Sequence, residues 1–227
     1  CVIGKQIYKN LFPGGGDPRG FGNYDELYAA FMKQVRYFVD MKVRVSNYID
    51  RMFAKYAPAT FLSLFIDDCI AKGRDYYNCG PRYNTTYIQC TGLGTITDSL
   101  ATLKKHIFED KRWSMDELLK AMADNFEGAE AMRQTILNRT PFFGNDDEYA
   151  DSIAVKVFDD LYDTIEGKPN TKGECFHLNM LSTTCHVYFG KVMGATPNGR
   201  LAGRAISDGT SPSHGADTHG PSAVIKS

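Results

Sequence analysis

The sequence predicts an α/β fold in which a few short strands lie inside a larger set of helices. Several stretches carry apolar residues at helical spacing, with a capping residue at one end and glycine or proline at the other. Short runs rich in β-branched and aromatic residues, such as 85–90 and 176–180, are typical of strands. Long helical connections separate these runs, which favours parallel pairing with the helices outside. The 227 residues, 43% of them hydrophobic, are enough for one large domain with its own core or for two small domains.

The first long helix is predicted to start at Asn23, because Glu26 follows three residues later in capping-box register. Pro58 ends the helical pattern. A second helix is predicted over residues 60–72, with Gly73 as its C-cap. The apolar stripe of the first helix comprises Leu27, Phe31, Val35, Phe38 and Val39.

A strand predicted over residues 85–90 precedes a glycine-containing turn, Gly92-Leu93-Gly94, and a helix over about residues 98–108. Two glycines after a strand resemble the start of a dinucleotide-binding loop. The third glycine is absent, however, and Asp98 at the expected helix start would repel a pyrophosphate. The glycines therefore predict only a tight turn between strand and helix.

Capping signals predict the helices that follow. Ser114 and Glu117 form a capping box for a helix that reaches residue 126, and another helix covers residues 130–137. Residues 145–148 place a cap and three negative charges at the positive end of a helix that runs to about residue 166. Cap chemistry accounts for these acidic residues better than a metal does, because EF-hand spacing is absent. Strands are expected over residues 176–180 and 183–189, and residues 224–227 form a strand-like run.

The composition argues against several classes of function. With 26 basic and 27 acidic residues the formal charge is −1, so we expect no electrostatic attraction to nucleic acid. No apolar run approaches the roughly 20 residues of a membrane span, and no leader-like stretch opens the chain, so we expect a cytoplasmic protein. The six cysteines form no CxxC pair, and we expect free thiols. The chain starts at Cys1 and ends in a strand-like run, so we expect both ends to lie inside a longer protein.

Residues 180–221 are the stretch most indicative of function. They are dense in Gly, Pro, Asn, Asp and Ser and predict a long loop, which is usually either functional or disordered. Apolar residues such as Leu201 and Ile206 occur between the charged ones, so we expect an ordered, functional loop. Asn198-Gly199-Arg200 is expected to be a turn. Arg200 and Arg204 either clamp a carboxylate or are ordinary surface arginines, and His214 and His219 are weaker functional candidates.

The best candidates for metal ligands are Cys175, His177, Cys185 and His186. Their spacing is neither C-x2-4-C nor H-x3-5-H, the patterns of structural zinc sites. If both runs are strands, Cys175 and His177 share one face, whereas the adjacent Cys185 and His186 point to opposite faces and cannot reach one ion. We therefore expect no metal site.

Three blocks of the sequence resemble one enzyme family. They are GKQI with GDPRGFGNYDELYAAFMKQVRYFV within residues 4–39, FLSLFIDDCIAKGRDYYNCGPRYNTTYIQCTGLGTITDSLATLKKHIF at 61–108, and TTCHVYFGKVMGATPNGRLAGRAISDGTSPSHGADTHGPSAVIKS at 183–227. Together they cover nearly the whole chain. The chain is similar to the pyruvate formate-lyase-like group of glycyl radical enzymes, and within that group to the dehydratase and lyase branch.

The resemblance implies both a fold and a chemistry. The chain would be part of one pyruvate formate-lyase-like domain, a ten-stranded α/β barrel built from two half-barrels. A glycyl radical on a C-terminal loop would oxidise a cysteine to a thiyl radical, and a glutamate two positions after that cysteine would assist elimination by proton transfer. The resemblance also implies a small polar substrate, a homodimer, and a separate activating enzyme that uses S-adenosylmethionine and an iron–sulfur cluster.

Neither hallmark of the family occurs in these 227 residues. In Cys1-Val2-Ile3, isoleucine stands where the Cys-x-Glu loop requires glutamate, and no glycyl motif of the Arg-Val-Ala-Gly-Tyr type is present. We therefore expect no catalytic residue and no cofactor in this chain, and no activity from the chain alone. By resemblance, Leu181, Ser182, Thr183 and Thr184 lie near the pocket, where hydroxyls would hydrogen-bond a polar substrate. The threonines would equally suit a plain strand.

Several functions remain open from the sequence. By resemblance, the segments STTCHVYFG and TPNGRLAG imply trans-4-hydroxy-L-proline as the substrate in preference to glycerol, propanediol and choline. A second hypothesis is a non-catalytic half-barrel that binds a partner subunit, although the exposed strand edges and apolar faces expected of a cut barrel argue against a stand-alone protein. A third is an independent metal-binding or hydrolytic domain built on the four Cys and His candidates, for which zinc content is the test.

Overall fold

The computed structural model describes residues 16–227, which form nine α-helices, a short 3-10 turn, a π-helical segment and a two-stranded sheet. The helices are α1 (Tyr24–Tyr56), α2 (Thr60–Ser63), α3 (Asp67–Lys72), α4 (Leu93–Thr102), α5 (Met115–Ala123), α6 (Glu130–Arg139), α7 (Glu148–Ile165), α8 (Cys185–Val192) and α9 (Pro221–Lys226). The strands are β1 (Thr86–Gln89) and β2 (Phe176–Asn179). The described chain divides into two compact units: unit 1 contains residues 16–34, 90–160 and 180–227, and unit 2 contains residues 35–89 and 161–179.

Unit 1 has a hydrophobic core to which α5, α6 and the segments after them contribute. The capping box predicted before α5 is confirmed: the Glu117 amide donates to Ser114 Oγ at 3.2 Å, and the Ser114 amide donates to Glu117 Oε2 at 2.7 Å. These bonds satisfy amides that have no partner inside the helix. The buried core residues are Leu118, Ala121, Phe126, Ile136 and Phe142.

Helix α4 is buried on nearly every side, which fits its lack of a charged face. It follows Gly92, whose φ of 93° makes the tight strand-to-helix turn that was predicted. The helix begins at Leu93, earlier than the predicted start near residue 98, so Asp98 lies in its interior and is fully buried. After Thr102 the chain continues as a π-helix over Leu103–Glu109.

Helix α7 begins at Glu148, so the acidic run lies at its N-terminus as predicted, but with a different cap. The Tyr149 amide donates to Asp147 Oδ1 at 2.9 Å, and the Ala150 amide donates to the Asp147 carbonyl at 3.0 Å. Asp147 is therefore the capping residue. The Asn145 side chain instead hydrogen-bonds the loop between α8 and α9, described below. The buried stripe of the helix consists of Ala150, Ile153, Ala154 and Val157, at helical spacing.

The sheet lies in unit 2, and its two strands pair in parallel, as the sequence predicts. Asn170 organises the turn before β2. Its Nδ2 donates to the Asn84 carbonyl at 2.6 Å, while its Oδ1 accepts from the amides of Lys172 and Glu174 at 2.8 and 3.0 Å. These bonds hold the chain on either side of the turn beside the start of β1.

The single helix predicted over residues 60–72 is wrong, because the chain forms α2 and α3 with a turn between them. Ser63 explains the break. Its hydroxyl accepts from the Tyr76 amide at 2.9 Å and donates to Asp75 Oδ2 at 2.8 Å, so the end of α2 is tied to a later segment. The predicted C-cap is confirmed, since Gly73 has φ 59°.

The strands predicted near the end of the chain, over residues 183–189 and from residue 224, are also wrong. From Cys185 onward the first run belongs to α8, where buried Gly190 packs against the backbone of residues 204–206 and a Cβ would collide with the Arg204 carbonyl. Short apolar runs suit a helix or a strand, and here tertiary packing decides. The second run forms α9, for which Pro221 at the first helical position is well suited.

Among the described residues, no helix has both the length and the apolar character to cross a membrane. Their five cysteines, Cys69, Cys79, Cys90, Cys175 and Cys185, are free thiols, as expected.

Candidate functional site

The loop between α8 and α9, residues 193–220, is ordered within unit 1 and forms one wall of a cavity. It has little regular structure, yet Asn198, Ile206 and Ser207 are buried. The predicted turn is confirmed: Gly199 has φ 81°, and the Thr196 amide donates to the Arg200 carbonyl at 3.0 Å. The loop is therefore a packed element, as its mixed composition predicts.

Two glycines allow the loop to approach neighbouring backbone closely. A Cβ on Gly94 would lie 2.7 Å from the Ser211 carbonyl oxygen and 2.8 Å from the Ser213 amide nitrogen, so the start of α4 rests directly on the loop. Gly209 faces the Met180 carbonyl in the same way, and a side chain there would collide with it. Glycine is required at both positions because any larger residue would separate the two backbones.

The carboxyl group of Asp98 fastens the loop from inside α4. Its Oδ1 accepts from the Phe143 amide at 2.9 Å, and its Oδ2 accepts from the Ser213 hydroxyl at 2.5 Å. Burial raises the pKa of Asp98 to about 7, although hydrogen bonds from Ser213, Phe143 and Asn198 oppose the shift. A carboxyl group that is half-protonated near neutral pH therefore joins α4, the start of the 143–147 turn and the loop.

The side chain of Asn145 forms a second fastening point. Its Nδ2 donates to the carbonyls of Phe142 and Ala216 at 3.0 and 2.8 Å, and its Oδ1 accepts from the amides of Thr218 and His219 at 2.8 and 3.1 Å. An amide side chain can donate and accept at once, as this position requires. Asn145 thus connects the turn before α7 to the distal part of the loop.

The cavity has a volume of about 1050 Å³ and is bordered by α6, the 139–147 segment and the loop. Its lining includes four arginines, Arg133, Arg139, Arg200 and Arg204, but Asp147 as the sole carboxylate among the described residues. Arg200 is half-buried and donates to the carbonyls of Leu201, Arg204 and Gly194, so it braces its own loop. Burial lowers the pKa of its guanidinium group. The carboxylate-clamp alternative is therefore disfavoured for Arg200, while Arg204 is exposed.

The predicted substrate-binding residues occupy a different part of unit 1 and do not line this cavity. Leu181, Ser182, Thr183 and Thr184 form the connection between the carboxyl end of β2 and the start of α8. The Thr183 hydroxyl lies 2.7 Å from Cys185 Sγ, whereas the side chains of Ser182 and Thr184 are exposed. The connection is a loop with hydroxyls on its surface, which corrects the alternative that these threonines belong to a strand.

The four metal-ligand candidates fall into two separate pairs. Cys175 and His177 share a face, as predicted, with Sγ 3.5 Å from Nε2. Cys185 and His186 begin a helix, and the Nδ1 atom of His186 lies 2.5 Å from the Thr183 carbonyl oxygen. In the described part of the chain, no group of three or more His, Cys, Asp or Glu residues is arranged to hold a metal ion. Cys1 and Ile3, where the sequence departs from the Cys-x-Glu loop, lie outside the described residues.

Sequence reasoning missed the roles of Asp98 and Asn145. A signal for Asp98 was present, because a single charged residue occurs in the otherwise uncharged window Leu93–Thr102. Its partner Ser213 lies 115 residues further along the chain, and nothing local indicates that pairing. The position of Asn145 before an acidic run predicts a helix cap, and that pattern does not distinguish a cap from a residue that hydrogen-bonds a distant loop.

Comparison with known proteins decides the family. A family model described as pyruvate formate lyase-like matches residues 3–190. The chain belongs to this family. It is 50% identical over 212 residues to trans-4-hydroxy-L-proline dehydratase of Clostridioides difficile, covering 93% of this chain and 27% of that protein. It is 38% identical over 216 residues to isethionate sulfite-lyase of Oleidesulfovibrio alaskensis, covering 93% and 26%.

Solved structures give the same result. Hydroxyproline dehydratase from Clostridioides difficile, with trans-4-hydroxy-L-proline bound, matches with a TM-score of 0.89 and 50% identity over 93% of this chain and 27% of that one. A Roseburia inulinivorans protein studied for 1,2-propanediol dehydration matches with a TM-score of 0.87 and 35% identity over 93% and 28%. The predicted fold class is confirmed: the chain is a helix-rich portion of the α/β barrel of glycyl radical enzymes. It spans about a quarter of the length of these relatives.

Proposed function

We propose that this chain supplies barrel wall and part of the substrate pocket to a glycyl radical dehydratase that removes water from trans-4-hydroxy-L-proline. The observation that carries the proposal is the 50% identity over 212 residues to the dehydratase of that substrate. Two relatives with other names have lower identity, 38% for an isethionate sulfite-lyase and 31% for a (2S)-3-sulfopropanediol dehydratase. This difference in sequence identity favours trans-4-hydroxy-L-proline as the substrate within the dehydratase and lyase branch.

Within this proposal, the loop of Leu181, Ser182, Thr183 and Thr184 contacts the substrate. It follows the carboxyl end of a parallel strand, the edge at which α/β proteins bind their ligands. The exposed hydroxyls of Ser182 and Thr184 are available to a polar substrate group, and Thr184 forms no side-chain cap on α8. Thr183 has a different task, since its hydroxyl contacts Cys185 and holds the loop in shape.

The radical chemistry itself is assigned to parts of the protein outside these residues. The chain would belong to one pyruvate formate-lyase-like domain whose Cys-x-Glu loop and C-terminal glycyl domain lie elsewhere. A separate activating enzyme that uses S-adenosylmethionine and an iron–sulfur cluster would install the glycyl radical. The working enzyme would be a cytoplasmic homodimer. This chain contributes no catalytic residue, and its role is to bind, orient and exclude water.

Exposed apolar side chains in unit 2 support assembly with further protein. Phe61 and Phe65 are 76% and 71% exposed, and Leu64 between them is 62% exposed. A contiguous apolar surface of this kind is rarely left open to water. The same observation supports the second candidate, a non-catalytic half-barrel that binds a partner subunit, and activity distinguishes the two.

A chimera tests the proposed function. The matching segment of the Clostridioides difficile dehydratase is replaced by this chain, and the chimera is activated anaerobically. Mass spectrometry follows the loss of one water from trans-4-hydroxy-L-proline, glycerol and propane-1,2-diol, and the release of trimethylamine from choline. We expect turnover of trans-4-hydroxy-L-proline and little of glycerol, propane-1,2-diol or choline. A chimera that carries the radical but prefers one of the other three would refute the substrate assignment. One that carries the radical and turns over none would favour the non-catalytic alternative.

Variants of the chimera test the loop. Ser182→Ala and Thr184→Val each remove one exposed hydroxyl and are expected to raise KM for trans-4-hydroxy-L-proline roughly tenfold, the cost of one polar contact. Thr210→Val removes an exposed hydroxyl elsewhere in unit 1 and serves as the matched control. Equal KM values for all three variants and the parent chimera would remove Ser182 and Thr184 from the substrate site.

A further inference from the structure

Three side chains of unit 2 lie in a row beside the start of β2. Cys175 Sγ is 3.5 Å from Nε2 of His177, and Nδ1 of His177 is hydrogen-bonded to the Glu166 carboxylate. Residues two apart on a strand project to the same side, which brings the cysteine and the histidine together. The side chains of His177 and Glu166 are 30% and 25% exposed, and Cys175 is half-buried, so solvent reaches the group.

This order of groups suits a reactive thiol. A carboxylate on Nδ1 fixes the histidine tautomer that carries its proton there, and the lone pair of Nε2 then faces the thiol. Nucleophile, base and orienting group therefore follow one another within contact distance. The Tyr87 ring, 5.7 Å from the imidazole ring, packs beside His177, and the Thr86 amide donates to the Cys175 carbonyl at 3.1 Å. Both contacts restrict movement of the pair.

The other Cys-His pair of the described chain has a different environment. Cys185 and His186 are neighbours in sequence, but Cys185 Sγ contacts the Thr183 hydroxyl, and His186 Nδ1 contacts the Thr183 carbonyl. The row at Cys175 does not suit a metal ion either. Cys175 contacts one ring nitrogen of His177 and Glu166 contacts the other. The three side chains therefore cannot all coordinate one metal ion.

We propose that Cys175 is a reactive thiol site that forms mixed disulfides with low-molecular-weight disulfides. In the exchange, the thiol proton passes from Sγ to Nε2 of His177, and Glu166 pairs with the imidazolium. The sulfur attacks one sulfur of the disulfide, forming one S–S bond and breaking the other. The leaving thiolate takes the proton from Nε2. Cys175 is oxidised to the mixed disulfide, and the incoming disulfide is reduced, releasing one thiol.

The first test compares two half-buried thiols in the same full chain. Cys175 and Cys185 are labelled with iodoacetamide at pH 7, and the rate at each site is read by peptide mass spectrometry. We expect Cys175 to react at least roughly tenfold faster, the order of enhancement that a neighbouring histidine gives a thiol. Oxidised glutathione is expected to form an adduct at Cys175 that dithiothreitol reverses. Equal rates at the two cysteines would overturn the proposal.

Variants separate the roles of the two supporting residues. His177→Gln is expected to abolish the excess rate at Cys175, and His186→Gln, the matched control, to leave it unchanged. Glu166 is a positioning residue, so Glu166→Gln should remove most of the excess rate at Cys175, and Glu166→Asp should partly restore it. An unchanged rate in a folded His177→Gln chain would refute the assignment. If that variant unfolds, the comparison of Cys175 with Cys185 in the parent chain decides.

Discussion

Replacing Asp98 by asparagine should abolish a specific component of the pH dependence of stability. The pKa of Asp98 is about 7 in the folded chain, against 3.8 for an ordinary aspartate, because burial disfavours the charged form. The folded chain therefore binds this proton more tightly than the unfolded chain does. The stabilisation is complete below about pH 4 and is lost as the pH rises through about 7.

The size of the effect follows from proton linkage. In the middle of that interval the folded chain holds the proton and the unfolded chain does not, so the free energy of unfolding falls by about 1.4 kcal/mol for each pH unit. Over the whole interval the loss amounts to about 4 kcal/mol. Asparagine has no charge to bury. Its Oδ1 can still accept from the Phe143 amide and its Nδ2 can donate to the Ser213 hydroxyl, so the fold should tolerate the change.

The assay is equilibrium urea unfolding of the parent chain and of Asp98→Asn, followed by circular dichroism at intervals between pH 5 and pH 8. The difference between the two free energies isolates Asp98 from every other titrating group. We expect that difference to change by about 3 kcal/mol over this range in favour of the variant at high pH. Asp124→Asn, at an exposed position of unit 1, is the matched control and should show a constant difference. A constant difference for Asp98→Asn as well would refute the reasoning.

Three further predictions use the same unfolding measurement. Asn145→Ala removes the donor and acceptor groups that hydrogen-bond the loop and should lower the free energy of unfolding by about 3 kcal/mol. Asn138→Ala, on the exposed side of α6, is the control and should change it by no more than about 0.5 kcal/mol. Gly209→Ala forces a Cβ against the Met180 carbonyl and should lower the free energy of unfolding by about 2 kcal/mol. An unchanged urea midpoint would show that the loop shifts to accommodate the methyl group. Burial lowers the pKa of His106 in the folded chain, so the neutral ring contributes to the free energy of unfolding above pH 6.5, and this contribution is lost as the pH falls. His106→Gln should therefore lose less stability than the parent chain between pH 7 and pH 5, and an equal loss would contradict the burial effect.

Local signals predicted the helices well because caps are short-range interactions. The Glu26 amide donates to Asn23 Oδ1 at 2.9 Å, and the Ser114 box forms as its spacing indicates. The family and the barrel class followed from sequence blocks that span nearly the whole chain, and the comparisons confirm both.

Long-range contacts explain what the sequence did not reveal. Residues 183–189 have the composition of a strand, and the helix there depends on how Gly190 meets residues 204–206. The bond between Asp98 and Ser213 likewise joins distant parts of the chain. Neither the alternation of side chains nor a capping motif contains that information, because both describe neighbours in sequence. The prediction that Leu181, Ser182, Thr183 and Thr184 bind substrate stays a prediction and depends on the chimera.

The parallel pairing of β1 with β2 also has a consequence for the order of folding. Thr86 pairs with Phe176, so the sheet cannot form until most of this chain has been synthesised, and a long connection must be closed first. During that time the edge of β1 has no partner strand and is open to pairing with other chains. We therefore expect expression of this segment to depend on temperature and on chaperones, and slower synthesis to raise the fraction that aggregates.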